Sequence, residues 1–323
     1  MKFFIGVLIF SIFSNNVFSQ KPDTFTGESN SLYKNTDTAA GKTIITISPS
    51  FDKNVRISFS TYFILLGSNM KQQITAPFHQ TKKEWIHIGM YGASVAALSI
   101  IADEPAQRYA SRMHDSNNFV SGISGYATSF GGRYELYTLA ALGGYSFISN
   151  NKKLQTTSLL ATQAYITSGI IESVSKYITG RQRPLYYNPN NPEPEPTFHG
   201  LLYSLGHNSY NHKISTSFPS GHSTVAFAVA AVFAEQYKNT AWVPAVAYSA
   251  ASLVALSRIT ENKHWTTDVV AGATLGWLCG KQVVNNYHRY VKNKSASKTG
   301  TLSFNLNYNG YNFEPGFIYT FRK

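Results

Sequence analysis

The period of apolar and polar positions changes twice along the chain. Thr43-Ile44-Ile45-Thr46-Ile47 and Val55-Arg56-Ile57-Ser58-Phe59-Ser60 are β-branched and partly alternating, which favours strands. From about His79 to His288 the spacing becomes helical. Apolar and small residues dominate the stretches 84–102, 133–149, 154–178, 222–237, 241–257 and 265–287, whose Ala- and Gly-rich faces suit close packing. Alternation returns after a Lys/Ser linker at 291–300. Leu302, Phe304, Leu306 and Tyr308 precede Asn309-Gly310, a strong hairpin turn, and Phe317, Tyr319 and Phe321 come after it. The predicted fold is mainly α: a helical bundle of about six core helices with short β-rich segments at the N- and C-terminal ends.

This pattern divides the chain into four parts. Residues 1–19 read as a signal peptide, with Lys2, an apolar run from Phe3 to Phe13, and Val17-Phe18-Ser19 before a new N-terminus at Gln20. Residues 20–78 form a polar N-terminal segment with short strands, 79–290 the helical domain, and 291–323 the linker and hairpin. The expected location is exported and periplasmic, soluble or membrane-associated, with peripheral membrane contact. Residues 85–102, which are 18 uncharged positions, come nearest to a membrane span; most of the other apolar runs are shorter before a charge and closer to core helices.

Composition adds two restrictions. A chain of 323 residues buries a core without covalent help, and its single cysteine, Cys279 in an apolar stretch, reads as a small buried hydrophobe. A net charge of +12 suits an anionic partner such as a phosphate ester or an anionic lipid head group. Nucleic acid is excluded as a partner, because the Lys and Arg residues are scattered and no binding motif is present.

Three strings carry chemistry, each where a helix meets a loop. In Lys176-Tyr177-Ile178-Thr179-Gly180-Arg181-Gln182-Arg183-Pro184, Gly180 is a helix stop. Lys176 therefore lies in the last turn and Arg183 on the loop, converging as cations on a tetrahedral anion. In Phe218-Pro219-Ser220-Gly221-His222, Ser220 is the predicted N-cap, so Gly221 and His222 fall in the first turn, where backbone N–H groups bind anions. Gly221 lets a phosphate approach the backbone, and His222 stands ready to protonate a departing oxygen. In Ser257-Arg258 and His264-Trp265-Thr266-Thr267-Asp268, the four-residue spacing puts His264 and Asp268 on one helical face. Asp268 then fixes the tautomer of a nucleophilic His264, and Arg258 adds a further cation. His199, His207 and His212 in the long polar loop 185–218 lack regular ligand spacing, and no metal is assigned to them. Tyr186, Tyr187, Phe198 and Tyr203 of that loop either pack it on the bundle, the more ordinary use of such residues, or offer a wall for a lipid or aromatic leaving group.

Together the strings K-x6-R-P, P-S-G-H and S-R-x5-H-x3-D resemble the signature of the type 2 phosphatidic-acid phosphatase superfamily, which includes bacterial nonspecific acid phosphatases, lipid phosphate phosphatases and vanadium haloperoxidases. Every signature residue is present, and the match covers about residues 80–290. The resemblance implies that His264 attacks phosphorus to give a phosphohistidine, Asp268 orients it, and His222 protonates the leaving oxygen. It implies that Lys176, Arg183 and Arg258, with Ser220 and the Gly221 N–H, hold the phosphate, with no metal and no cofactor. The expected substrates are lipid phosphates or diphosphates; the alternatives are a soluble nonspecific acid phosphatase and a vanadium-dependent haloperoxidase. A non-enzymatic protein with a lost site residue is the remaining class, and no such residue is lost.

Overall fold

The structure is a computed structural model that describes residues 57–184, 196–201, 203 and 215–297, with the backbone of 301–308 and 313–320. The expected signal peptide and the first expected strand, 43–47, lie outside the described residues.

Of the second expected N-terminal strand, 55–60, residues 57 and 58 lead into a helix that takes up 59 and 60, while 55–56 lie outside the described residues. Helix α1 runs over Phe59–Thr75, and the Ser58 side chain caps it by accepting the Thr61 N–H. Further along this helix Asn69 turns inward and is 1% exposed. Its amide donates to Gln163 (2.8 Å) and its carbonyl oxygen accepts from Asn286 (2.8 Å). Gln72 donates to Asn286 and Gln73 to Gln282, so one helical face of α1 is bound through amides that a strand would splay to both sides.

Eight further α-helices complete the helical part among the described residues. Helix α2 is Lys82–Ile101, opened by a capping box between Thr81 and Glu84. Helices α3 (Asp103–Ser116) and α4 (Asn118–Ser129) fill what reads in the sequence as connection, and a π-helical turn at Phe130–Tyr134 leads to α5 (Glu135–Ile148). Then come α6 (Lys152–Thr179), α7 (Gly221–Gln236), α8 (Trp242–Thr260) and α9 (Thr266–Ser297). The last of these absorbs most of the expected linker at 291–300. Residues 57–287 belong to one compact unit and residues from His288 onward to another. Among its described residues the bundle carries no named strand, so the expected β-rich ends are not supported as part of it. In the second unit β1 (Thr301–Tyr308) runs antiparallel to β2 (Phe313–Thr320), with Thr301 opposite Thr320.

Helix α7 is central and packs against α6 and α8. Its approach to α9 is set by glycine. A Cβ built on Gly272 would lie 2.5 Å from the Ser220 carbonyl oxygen, one on Gly276 2.0 Å from that of Thr224, and one on Gly280 2.4 Å from that of Ala228. Residues four apart on α9 thus meet residues four apart on α7 in the same direction. The two helices run parallel, backbone to backbone, in the small-residue mode of helices that associate within lipid. Both therefore begin at the same end of the bundle.

Its outer surface is apolar. No residue of α2 is buried. Trp85, Ile86, Met90, Ile100 and Ile101 of α2 stand exposed, as do Trp242, Val246, Leu253 and Leu256 of α8. Both helices are long and apolar enough to cross a membrane.

Candidate active site

The last turn of α6 carries Lys176, and Gly180 ends the helix in the left-handed region at φ 55°. A side chain there would also strike the Gly200 carbonyl oxygen, 2.6 Å from an added Cβ. The Lys176 ammonium is paired with the Glu172 carboxylate one turn earlier. Beyond the stop, Arg183 donates from Nη2 to the Thr216 carbonyl oxygen (2.9 Å), which ties this turn to the chain entering α7.

Ser220 occupies the N-cap position of α7 with extended backbone, but its hydroxyl caps no N–H. It accepts from the Ser223 hydroxyl instead (3.1 Å). The first amide groups of α7 are thus not satisfied by the side chain expected to cap them. Gly221 has a different reason to be glycine from the one its sequence suggests. An added Cβ would meet Glu172 Oε1 at 2.7 Å, so the missing side chain makes room for the carboxylate that holds Lys176.

His264 lies in the loop before α9 and not on its first turn, which corrects the expectation of a shared helical face. The chain reaches it through a tight turn in which Asn262 is left-handed (φ 57°) and the Lys263 and His264 N–H groups both donate to the Arg258 carbonyl oxygen. Gln107 steadies the turn by donating to Asn262 Oδ1 (2.7 Å). Asp268, in the first turn of α9, reaches back across the helix start. Its Oδ2 accepts from the Trp265 N–H (2.9 Å) and the Ser217 hydroxyl (2.5 Å), and stands 3.5 Å from His264 Nδ1. The carboxylate thus caps α9 and faces the imidazole with the same oxygen. Arg258, at the end of α8, donates to Thr128 Oγ1 (3.1 Å) and pairs with Glu261 (3.5 Å).

These groups share one electrostatic neighbourhood. Burial pushes His264 well below the usual imidazole range, and the charges of Arg183, Lys176 and Arg258 add to the effect. His222 is pushed down to about 3 by burial and then by Arg258, Lys176 and Arg183. Both imidazoles are therefore neutral at ordinary pH, beneath three cations that converge from α6, the loop after it and α8. Burial pushes the Asp268 carboxyl upward, against the opposing pull of Arg181, Ser217 and Trp265. All eight residues singled out in the sequence stand at this end of the bundle, where α7 and α9 begin. Of the other histidines, His199 stacks on Tyr203 at 4.0 Å, while His207 and His212 lie outside the described residues, as do Tyr186 and Tyr187. Phe198 lies over the Arg181 guanidinium (4.6 Å).

Sequence reading passes over four residues of this region: Asp103, Arg181, Ser217 and Thr267. Arg181 is fully buried and donates to Asp268 Oδ1 (2.5 Å), Asp103 Oδ2 (2.6 Å) and Thr267 Oγ1 (2.7 Å). The only trace of this cluster in the sequence is an acidic residue, Asp103, directly after the uncharged run 85–102.

An apolar groove opens beside the site between α4 and α8, lined by Phe119, Val120, Ile123, Ala127, Leu253 and Leu256, with Ser257 at its inner end. Thr128 bonds to both Ser257 Oγ and Arg258 Nη1, so the groove abuts the cation cluster.

Two parallel helix starts, three basic side chains and two neutral imidazoles thus stand together at one end of a helical bundle. Residues 157–292 match the model of the PAP2 superfamily. The matched stretch runs from α6 into α9 and holds all eight residues singled out in the sequence. It is 39% identical over 80 residues to a lipid A 1-phosphatase of Porphyromonas gingivalis, a match that takes in 24% of this chain and 18% of that protein. It is 25% identical over 164 residues to an undecaprenyl-diphosphatase of Sulfolobus acidocaldarius, covering 49% of this chain and 67% of that one. The chain thus spans less than a fifth of the first relative and about two thirds of the second. A transmembrane PAP2-type phosphatidylglycerolphosphate phosphatase of Bacillus subtilis superposes with a TM-score of 0.41 at 19% identity, over 71% of this chain and 96% of that one.

Proposed function

We propose that this protein is a membrane-embedded phosphatase that removes phosphate from lipid phosphates or diphosphates through a phosphohistidine. The observation that carries the reading is the convergence of Lys176, Arg183 and Arg258 on two neutral imidazoles, His264 buried and His222 half-buried, where α7 and α9 begin.

The chemistry rests on the arrangement. The phosphoryl group sits among the three cations and the amide groups of Gly221 and the first turn of α7, beside Ser220. With the His264 proton on Nδ1, facing Asp268, the Nε2 lone pair attacks phosphorus. The N–P bond forms as the P–O bond to the leaving group breaks, and His222, which takes up a proton when the bound phosphate dianion offsets the cations, gives that proton to the departing oxygen. Water then attacks the phosphohistidine, losing its proton to His222, and inorganic phosphate departs. The depressed His264 remains a free base throughout the neutral range, as a nucleophile requires.

The same reading takes α2 and α8 as membrane spans, since their exposed faces are apolar and both are long enough. Each ends at the level of the site, α2 just before Asp103 and α8 at Arg258, so the phosphate pocket lies at the membrane surface with the groove between α4 and α8 opening toward lipid. This replaces the soluble or peripheral arrangement favoured from the sequence, which took most apolar runs as core.

The test is release of inorganic phosphate by the detergent-solubilised protein in EDTA, from phosphatidic acid and from p-nitrophenyl phosphate. EDTA-resistant release that disappears in a folded His264→Ala variant is the expected result, with the lipid preferred. Activity that survives in His264→Ala rules out the mechanism.

A further inference from the structure

The buried pair Asp103 and Arg181 lies behind the proposed nucleophile, touching neither the phosphate groups nor the lipid groove. We infer that Asp103 and Arg181 are positioning residues for the His264–Asp268 dyad, a deepening that rests on the phosphatase reading above. Asp103 is the first residue of α3 and fully buried. Its Oδ1 accepts the Thr267 N–H (2.9 Å), and its Oδ2 accepts from the Thr267 hydroxyl (2.5 Å) and Arg181 Nη2 (2.6 Å). The other terminal nitrogen of Arg181 donates to Asp268 Oδ1. One guanidinium thus bridges two carboxylates, and a threonine hydroxyl closes the ring. Phe198, Phe218 and Trp265 surround the guanidinium, at 4.6, 6.0 and 5.8 Å, and exclude water from it.

This ring acts on the dyad in two ways. Arg181 fixes the Asp268 carboxylate by one oxygen, so the other is held toward His264 Nδ1; a carboxylate bound by Oδ2 alone would be free to turn. Asp103 also takes half of the Arg181 charge. Without it, the cation would fall wholly on Asp268 and weaken the field that Asp268 exerts on the imidazole. Arg181 further holds Ser217, whose N–H donates to the Arg181 carbonyl oxygen (3.0 Å) and whose hydroxyl donates to Asp268 Oδ2. The α2–α3 corner thereby sets the basicity and aim of a histidine 161 positions away in the sequence.

The experiment measures kcat, KM and the pH dependence of kcat/KM on p-nitrophenyl phosphate for the solubilised full chain, with Asp103→Asn, Asp103→Glu and Thr267→Val beside the wild type. The ionisable groups facing His264 are Lys176, Arg183, Arg258, His222 and Asp268, and all are retained. The expected result for Asp103→Asn is a loss of tenfold or more in kcat with KM within twofold. The acid limb of kcat/KM should move to lower pH, because the unshared Arg181 charge makes His264 harder to protonate. Asp103→Glu should recover part of kcat. Thr267→Val, which keeps both carboxylates and loses only the bridging hydroxyl, should show the same changes to a smaller degree and serves if Asp103→Asn does not fold. Wild-type kcat and an unmoved limb in a folded variant overturn this inference alone. A wild type that forms no phosphohistidine and releases no phosphate overturns the phosphatase reading with it.

Discussion

Gly276 of α9 lies so close to Thr224 of α7 that a Cβ at position 276 would stand 2.0 Å from the Thr224 carbonyl oxygen. No rotamer change relieves that contact, since both partners are backbone. Gly276→Ala must therefore push α7 and α9 apart, and with them the two helix starts that carry His222 and Asp268. A cost of about 3 kcal/mol or more is expected. A lower midpoint in thermal unfolding in detergent, with a parallel loss of turnover, is the outcome to look for; an unchanged midpoint would show that the helices are not locked there.

Gly221→Ala tests a gentler contact. Its added Cβ meets the tip of Glu172, a flexible side chain that can swing away, so the protein should fold with nearly its normal stability. Displacing Glu172 frees Lys176 from its partner and disturbs the pocket. KM is expected to rise several-fold, with a smaller effect on kcat. A kcat loss at constant KM would instead place Gly221 in the transition state alone.

Phosphate binding should take up a proton. His222, held down to about 3 by burial and three cations, is neutral in the free protein across pH 5–8. A bound dianion offsets those cations and raises the imidazole toward the range where it carries a proton. The sign is fixed: affinity for a phosphate dianion or vanadate should strengthen as pH falls, approaching tenfold per unit below the bound-state pKa, until the ligand itself protonates. Calorimetry in buffers of different ionisation enthalpy measures the uptake directly. Zero uptake, together with pH-independent vanadate inhibition, would remove His222 as the acid.

The groove between α4 and α8 should distinguish lipid from soluble esters. Leu253→Trp and Ala127→Trp fill it without touching the cations. KM for phosphatidic acid is expected to rise about tenfold while p-nitrophenyl phosphate is turned over as before. Equal effects on both substrates would mean that the groove does not receive the chain.

The candidate site was legible in the sequence to the extent that it is made of local geometry. Helix ends are written in short range, so Gly180, Ser220 and the run from His264 to Asp268 could be placed to within a residue or two of α6, α7 and α9. The pairing of His264 with Asp268 was legible too, although its route was not. Whether position 264 is helical depends on the left-handed Asn262 and on the Arg258 carbonyl oxygen that gathers the turn.

What the sequence alone determined is the set of charged and imidazole side chains that make up the candidate site, and the helical period that carries them, because these depend on residue type and on spacings of a few positions. Tertiary structure decided the rest. Helix α1 stands where the sequence reads a polar segment, and it is held by Asn69, Gln72 and Gln73, which find amides about 90 to 220 positions away that no local period records. Gly221 is fixed by Glu172, and Arg181 by Asp103, through contacts that exist only once α6, α7 and the α2–α3 corner are packed. Buried polar groups must be paired, and the fold, by bringing distant side chains within hydrogen-bond reach, decides with whom.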